Sequence, residues 1–344
     1  MRLFTRAVRR VVAVVLSTAL AGALAGCGGG EEAPDVTIGV GGQKLLIYLP
    51  TTLAHQLGYY REEGLDVRIE ELQSGSKALQ ALQGGSVDVV SGFYDHTIQM
   101  RAKGRDVRAF VNMLRYPSLM LTVSPRARKR IRSVRDLAGT TVGVTSPGSS
   151  SDFFVKYLLA RQGLSPTAAA VQAVGTDARA VAAMESGTVD AAVMIDPALS
   201  VLRQRLGGRE LTVLADTRTV TGVQESYGVA TYPASVLYST GRWIDTRQDT
   251  ARRMARAITR TLEWIQQHSA KEIADRMPPQ FLGENPELYV EALEHARTAF
   301  SPDGLIQLEG AQAVHKVLRQ FNPEIGRSSL DLTKTFTNDF ATAR

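Results

Sequence analysis

Cysteine is almost missing: Cys27 is the only one in 344 residues. No disulfide can form within the chain, so stability must come from apolar burial, which a chain this long can supply. Nor is there an uninterrupted run of the ~20 apolar residues that a bilayer-spanning helix needs. Histidine is scarce, and His55, His96, His268, His295 and His315 show no HExxH or paired spacing, so no metal site is expected. A Gly-Lys-Ser/Thr phosphate loop and a Gly-x-Ser-x-Gly elbow are both absent. Gly39 and Gly41 begin like a dinucleotide loop, but Gln43 and Lys44 follow where another glycine should come. These absences predict a chain with no catalytic residue and no cofactor.

What is present begins with an export signal. Arg2, Arg6, Arg9 and Arg10 form a basic start, followed by an apolar stretch of 14 residues at 11–24. That is too short to span a membrane and fits a signal h-region. Leu24-Ala25-Gly26-Cys27 resembles the lipobox of bacterial lipoproteins, which implies cleavage before Cys27 and lipidation of its thiol. The alternative is an ordinary signal with an incidental cysteine, but the sole cysteine stands at the one position a lipobox requires. Residues 28–34 carry no apolar content and read as a tether. The whole chain has 40 basic and 34 acidic residues; without the four leader arginines the balance is 36 to 34. Basicity therefore gives no argument for a nucleic-acid partner.

One phrase is written twice. Ala81-Leu82-Gln83-Gly84-Gly85-Ser86-Val87-Asp88 returns as Ala183-Met184-Glu185-Ser186-Gly187-Thr188-Val189-Asp190, from 81 to 183, an offset of 102. Each copy reads as a helix end, a glycine that turns the chain, and an apolar strand. Strands are expected at 36–40, 66–72, 87–90, 107–113 and 119–123, with helices at 50–60, 76–83 and 96–102. After a polar, basic stretch at 124–132, read as a solvated loop, the alternation resumes. Strands are expected at 141–145, 169–174, 189–195 and 211–215, and helices at 151–162, 178–185 and 199–206. This order specifies two α/β lobes with mixed sheets, and the crevice between lobes is where a small ligand binds. Beyond Tyr227 the chain turns helical; Met254, Ile258, Leu262 and Ile265 make one stripe, with Arg252, Arg253, Arg256 and Arg260 around a solvated face. The tail is expected to pack on the first lobe.

Several motifs in order are familiar: "LAHQLGYYREEGLDV" at 53–67, Gly75-Ser76, the repeated phrase, "VRDLAGTTVGVTSPGSSSD" at 134–152, and "AAMESGTVDAAVMIDP" at 182–197. Together they resemble the nitrate/sulfonate/taurine-type solute-binding proteins of bacterial ABC importers, relatives of the thiamine-pyrimidine-precursor binders. The resemblance spans about 36–207 and implies a type II periplasmic-binding-protein fold whose lobes close on a solute. It implies crossovers near 122–126 and 225–231. The domains are then a leader at 1–26, a tether at 27–34, lobe one at 35–123 and 227–344, and lobe two at 124–226. A lipid-anchored monomer facing the periplasm or exterior, partnered by a solute and an ABC permease, is the implied protein. The related yeast pyrimidine synthase uses a cysteine-rich motif that this chain lacks.

Ligands in open α/β sheets sit beyond the carboxyl ends of strands, which directs attention to the strand-to-helix loops. Ser149, Ser150 and Ser151 follow Gly148 at a helix start, where hydroxyls and free N–H groups suit an anion or serve as a plain cap. Ser76 invites the same double reading. Lys44 and Arg115 could neutralise an anionic solute, or be solvated surface cations. Tyr48, Tyr94 and Tyr116 could wall the pocket, or be core aromatics. Asp95 reads as a cap or a ligand contact, and Asp177, Asp196 and Thr221 complete the second lobe's candidates. The rival reading is a secreted enzyme on the same scaffold, or a binder of a neutral pyrimidine.

Overall fold

The structure is a computed structural model in which residues 36–341 are described. The leader, the lipobox and the tether lie outside the described residues. Ten strands occur among them: β1 (Val36–Val40), β2 (Val67–Glu71), β3 (Val89–Phe93), β4 (Val107–Asn112), β5 (Met120–Val123), β6 (Thr141–Val144), β7 (Ala170–Ala173), β8 (Ala191–Met194), β9 (Val213–Asp216) and β10 (Ser235–Thr240). They form two five-stranded sheets, ordered β2-β1-β3-β10-β4 and β7-β6-β8-β5-β9. β1, β3 and β8 are buried along their whole length, as apolar runs covered by helices on both faces should be.

The two orders match position for position. In each sheet the first three strands are parallel, and the fourth is antiparallel to both its neighbours. That fourth strand comes from the far side of a crossover: β5 follows β4 in the chain but pairs in the second sheet, and β10 follows β9 but pairs in the first. The first crossover therefore runs through 113–119, upstream of the 122–126 expected, and 120–123 belongs with the second sheet. An apolar run tells that a strand is buried; it does not tell which sheet accepts its hydrogen bonds.

The repeated phrase has one structural meaning in both lobes. Gly85 and Gly187 sit at φ 77° and 74° just past helices Gly75–Gly84 and Ala178–Ser186, a conformation that costs a residue with a Cβ. Asp88 then accepts the Thr37 N–H at 2.9 Å, and Asp190 accepts the Thr141 N–H at 2.9 Å. The reciprocal Asp88 N–H and Asp190 N–H bonds reach the Thr37 and Thr141 carbonyls. Each aspartate clips the start of its lobe's first strand to the third. Asp190 is gripped further by Arg128 (2.6 Å), so one cation of the basic stretch is an ion-pair partner and not merely solvated.

The tail closes over the first lobe. Met254, Ile258, Leu262 and Ile265 of helix Gln248–Gln267 are buried, and the helix packs on Leu49–Gln56 and Tyr59–Glu62. Its arginines are partly engaged: Arg256 pairs with Glu63 (2.7 Å), and Arg260 pairs with Glu62 (2.5 Å) and lies 4.2 Å from the Tyr59 ring centroid. Thr335 and Thr337 bond the Ala109 backbone, covering the edge of β4. Helix Pro286–Ala296 also reaches helix Ala198–Arg205 of the second lobe, so the tail touches both.

Candidate functional site

The lobes meet along a seam made by the loops after β1, β3, β6 and β8. Asp95, at the start of helix Asp95–Ala102 behind β3, is 3% exposed and accepts a hydrogen bond from Ser150 Oγ of the second lobe at 2.9 Å. The Leu46 N–H donates to the Asp196 carbonyl across the same seam (3.1 Å). A Cβ placed on Gly148 would lie 3.9 Å from the Ser76 Cβ, so the two candidate loops face each other directly. Here the seam is tight: the slot between Leu46, Ile47, Ile195, Asp196, Arg218 and Phe300 encloses only about 10 Å³.

The serines at 149–151 are all buried, and two are turned inward. Ser149 Oγ donates to the Ser146 carbonyl (2.7 Å), and the Ser149 and Ser151 hydroxyls lie 2.7 and 3.0 Å from Thr145 Oγ1. Ser151 Oγ also accepts the Thr145 N–H. Only Ser150 presents its hydroxyl to the other lobe. Tyr48 packs edge-on against Phe93 at the seam (6.5 Å). Asp196 accepts from Ser200 Oγ (2.7 Å) and lies 3.6 Å from Arg218, so it is both a helix cap and a paired charge.

The remaining candidates lie elsewhere. Lys44 and Asp177 line a cavity of about 360 Å³ where the loop after β1 meets the loops after β7 and β8, under Phe281, Leu282 and Tyr289. Arg115 turns its guanidinium to the Thr298 carbonyl of the tail (3.0 Å) and covers the Tyr116 ring at 5.0 Å. Tyr94 is wholly buried with its hydroxyl on Thr335, on the tail side of the first lobe. Thr221 is exposed on helix Val220–Tyr227. The structure adds His96, whose Nδ1 is 3.2 Å from the Tyr238 hydroxyl, and the stacked pair Tyr227 and Tyr232 (4.4 Å, 13°). Tyr227 and Tyr232 stand at the second crossover, and aromatics in the expected hinge were the signal that could have found them.

Burial dominates the electrostatics. It pushes the Asp95 carboxyl up to about 7, against the lowering effect of hydrogen bonds from the Ser150 hydroxyl and the His96 backbone N–H. It pushes the His96 imidazole down to about 4, opposed by the Gly148 backbone across the seam. The Tyr48 and Tyr227 hydroxyls are raised by burial first and by the Asp95 charge second. The seam is thus a buried, tyrosine-rich joint with the unpaired Asp95 carboxyl, a neutral imidazole and the paired Asp196. It can close on a small solute and read its hydrogen-bonding groups. Among the described residues no cluster of three metal-ligating side chains forms, and no helix is long and apolar enough to cross a membrane.

Known proteins share this architecture. A family model described as "NMT1/THI5 like" matches residues 48–272. A solved structure from Bordetella bronchiseptica RB50 is 38% identical, covers 89% of this chain and 95% of its own, and superposes with a TM-score of 0.82. The alkanesulfonate-binding protein SsuA from Xanthomonas axonopodis pv. citri, bound to MOPS, aligns at TM-score 0.69 and 19% identity over 89% and 99% of the two chains. YtlA of Bacillus subtilis (strain 168), a candidate binding protein, is 24% identical over 268 residues, 76% of each chain. The 4-amino-5-hydroxymethyl-2-methylpyrimidine phosphate synthase of Schizosaccharomyces pombe is 29% identical over 121 residues, 35% of this chain and 34% of its own. The two mixed sheets flanked by helices are the periplasmic-binding-protein fold, in accord with the resemblance read from the motifs.

Proposed function

This chain belongs to the NMT1/THI5-like family, and from that premise we propose that it is the solute-binding component of an ABC importer. It captures a small organic solute between its lobes and hands it to a permease, as a monomer held outside the cytoplasm by a lipid on Cys27. The observation that carries this reading is the seam: two lobes of matching topology present their strand-end loops to each other across a Ser150–Asp95 hydrogen bond. Two crossovers are all that joins the sheets, which suits closure by rigid rotation.

Binding is proposed over catalysis because the seam offers no activated nucleophile and because long-range likeness runs to binding proteins, while the synthase likeness covers about a third of each chain. An anionic solute has one support, the helix start at 149–151, in keeping with the MOPS held by the SsuA neighbour. Lys44 and Arg115 do not join that helix start. A neutral pyrimidine is the second reading, favoured by the tyrosine walls.

The test expresses wild type and Cys27→Ser in a bacterium, separates membrane from soluble fractions, and takes the purified protein to native mass spectrometry. We expect Cys27→Ser to leave the membrane or to remain as uncleaved precursor, and a small molecule to be released from the wild-type protein on denaturation. Unchanged membrane association together with normal processing in Cys27→Ser would remove the anchor. A protein that turns over a substrate instead of releasing a bound solute would remove the binding reading.

A further inference from the structure

Four aspartates are nearly inaccessible among the described residues: Asp95, Asp152, Asp190 and Asp196. Three carry their own countercharge. Lys156 is 2.8 Å from Asp152, Arg128 is 2.6 Å from Asp190, and Arg218 is 3.6 Å from Asp196. Asp95 has no cation within ion-pair distance, and its partner across the seam is the neutral Ser150 hydroxyl. A buried carboxylate without a countercharge is costly. The unpaired one at the lobe seam instead holds its proton toward neutral pH, and a cation arriving from outside would let it ionise.

The surroundings fit a cation. Tyr238 places its hydroxyl 3.2 Å from Nδ1 of His96, the neighbour of Asp95, and Tyr48 packs on Phe93, two residues before Asp95. Tyr227 and Tyr232 stack on each other, and Phe154 and Tyr157 pack on Tyr227 at 5.7 and 5.3 Å. Aromatic faces attract ammonium and guanidinium groups. Asp95 takes the His96 backbone N–H of its own helix, and its Oδ1 also meets the opposite lobe, which a cap role does not require.

We propose that Asp95 sets the specificity of the cleft by selecting a solute that carries a cationic N–H donor, an ammonium, amidinium or guanidinium group. The proposal rests on the solute-binding reading above and replaces its anionic and neutral options for the solute. In the closed structure Ser150 Oγ–H fills the donor role at Asp95, and the solute's N–H takes it when the lobes part and reclose. A charged donor makes the stronger bond to a carboxylate.

Three probes of one shape separate the charges: benzamidine, benzamide and benzoate, with agmatine and putrescine as further cations and ethanesulfonate as a further anion. Their binding to the full mature chain is measured by thermal shift and calorimetry. Benzamidine is expected to stabilise the wild type and benzoate not to. Asp95→Asn should weaken benzamidine roughly 10- to 150-fold, the worth of a hydrogen bond to a charged group. The melting curve of Asp95→Asn without ligand checks its fold, and Asp95→Ser replaces it should the amide not fold. Benzamidine binding that survives both variants overturns the proposal, as does no shift with any of the three cations. A shift with benzoate or ethanesulfonate alone, or a co-purified solute without a cationic nitrogen, overturns it while leaving the solute-binding reading intact. No shift with any probe and no co-purified molecule removes both.

Discussion

Asp95 and His96 are neighbours with opposed titrations. Asp95, raised from 3.8 to about 7, keeps a proton in the fold that the unfolded chain has released, so its contribution to stability falls as pH rises from 4 to 7. His96, lowered from 6.5 to about 4, stays neutral in the fold where the unfolded chain is charged, so its contribution falls as pH drops from 6.5 to 4. Each slope is about 1.4 kcal/mol per pH unit, and across the shared window they cancel. The groups facing the pair are the Ser150 hydroxyl, the Gly148 backbone and the hydroxyls of Tyr48, Tyr227, Tyr232 and Tyr238, all of which stay uncharged there. Asp95→Asn should therefore lose stability toward acid, and His96→Gln should lose it toward neutral pH. Urea midpoints at pH 4.5, 5.5 and 6.5 check this, since titrations elsewhere are common to all variants. Parallel curves for the two variants would show that the buried pair does not titrate as described.

The repeated phrase is where sequence and element meet most directly. Its glycines end helices and its aspartates clip strands, both through bonds within one lobe, so local pattern sufficed to read them. The clips differ in strength. Asp88 is half-buried and holds the Thr37 N–H, whereas Asp190 is buried and holds the Thr141 N–H, the Arg128 N–H and the Arg128 guanidinium, which keeps its carboxyl well below the usual range. Asp88→Ala should cost about 1–3 kcal/mol, the penalty of one unsatisfied buried N–H, and Asp190→Ala should cost more. Denaturant midpoints rank them, and an equal or reversed order would show that the Arg128 contacts add nothing. The elements that pattern did not place are β5 and β10. β5 reads as a strand, but its partners lie across a crossover and the same run would suit either sheet; β10 falls in the stretch beyond Tyr227 that reads as helical, and its pairing with β3 and β4 across a crossover makes it a strand. The serine run shows the same limit at finer grain. Its position at a helix start was legible; that Ser149 and Ser151 would spend their hydroxyls on Thr145 was decided by packing.

At the scale of the whole molecule, the candidate site exists only when the lobes meet. Asp95, Ser150 and the Tyr227–Tyr232 pair are far apart in the chain and meet only through the fold, which is why separate loops could be nominated but not their grouping. Lys44, Arg115 and Tyr94 were plausible by loop position, yet the tail and the cavity under Phe281 claimed them. Closure can be trapped. Ser76 Cβ and a Cβ on Gly148 stand 3.9 Å apart across the seam, within the range a disulfide spans. Gly148 has φ 79°, so a cysteine there costs roughly 1–2 kcal/mol, less than the ~2–4 kcal/mol a disulfide contributes. Ser76→Cys with Gly148→Cys, made in a Cys27→Ser background so that no third thiol competes, should oxidise to a closed protein. Small-angle scattering should then give a radius of gyration near the ~19 Å of a compact chain of this size, smaller than that of the reduced, ligand-free form. The oxidised protein should neither take up nor release solute, and dithiothreitol should restore exchange. If the disulfide forms and solute still exchanges freely, the seam is not the gate, and binding takes place in an opening that closure does not control.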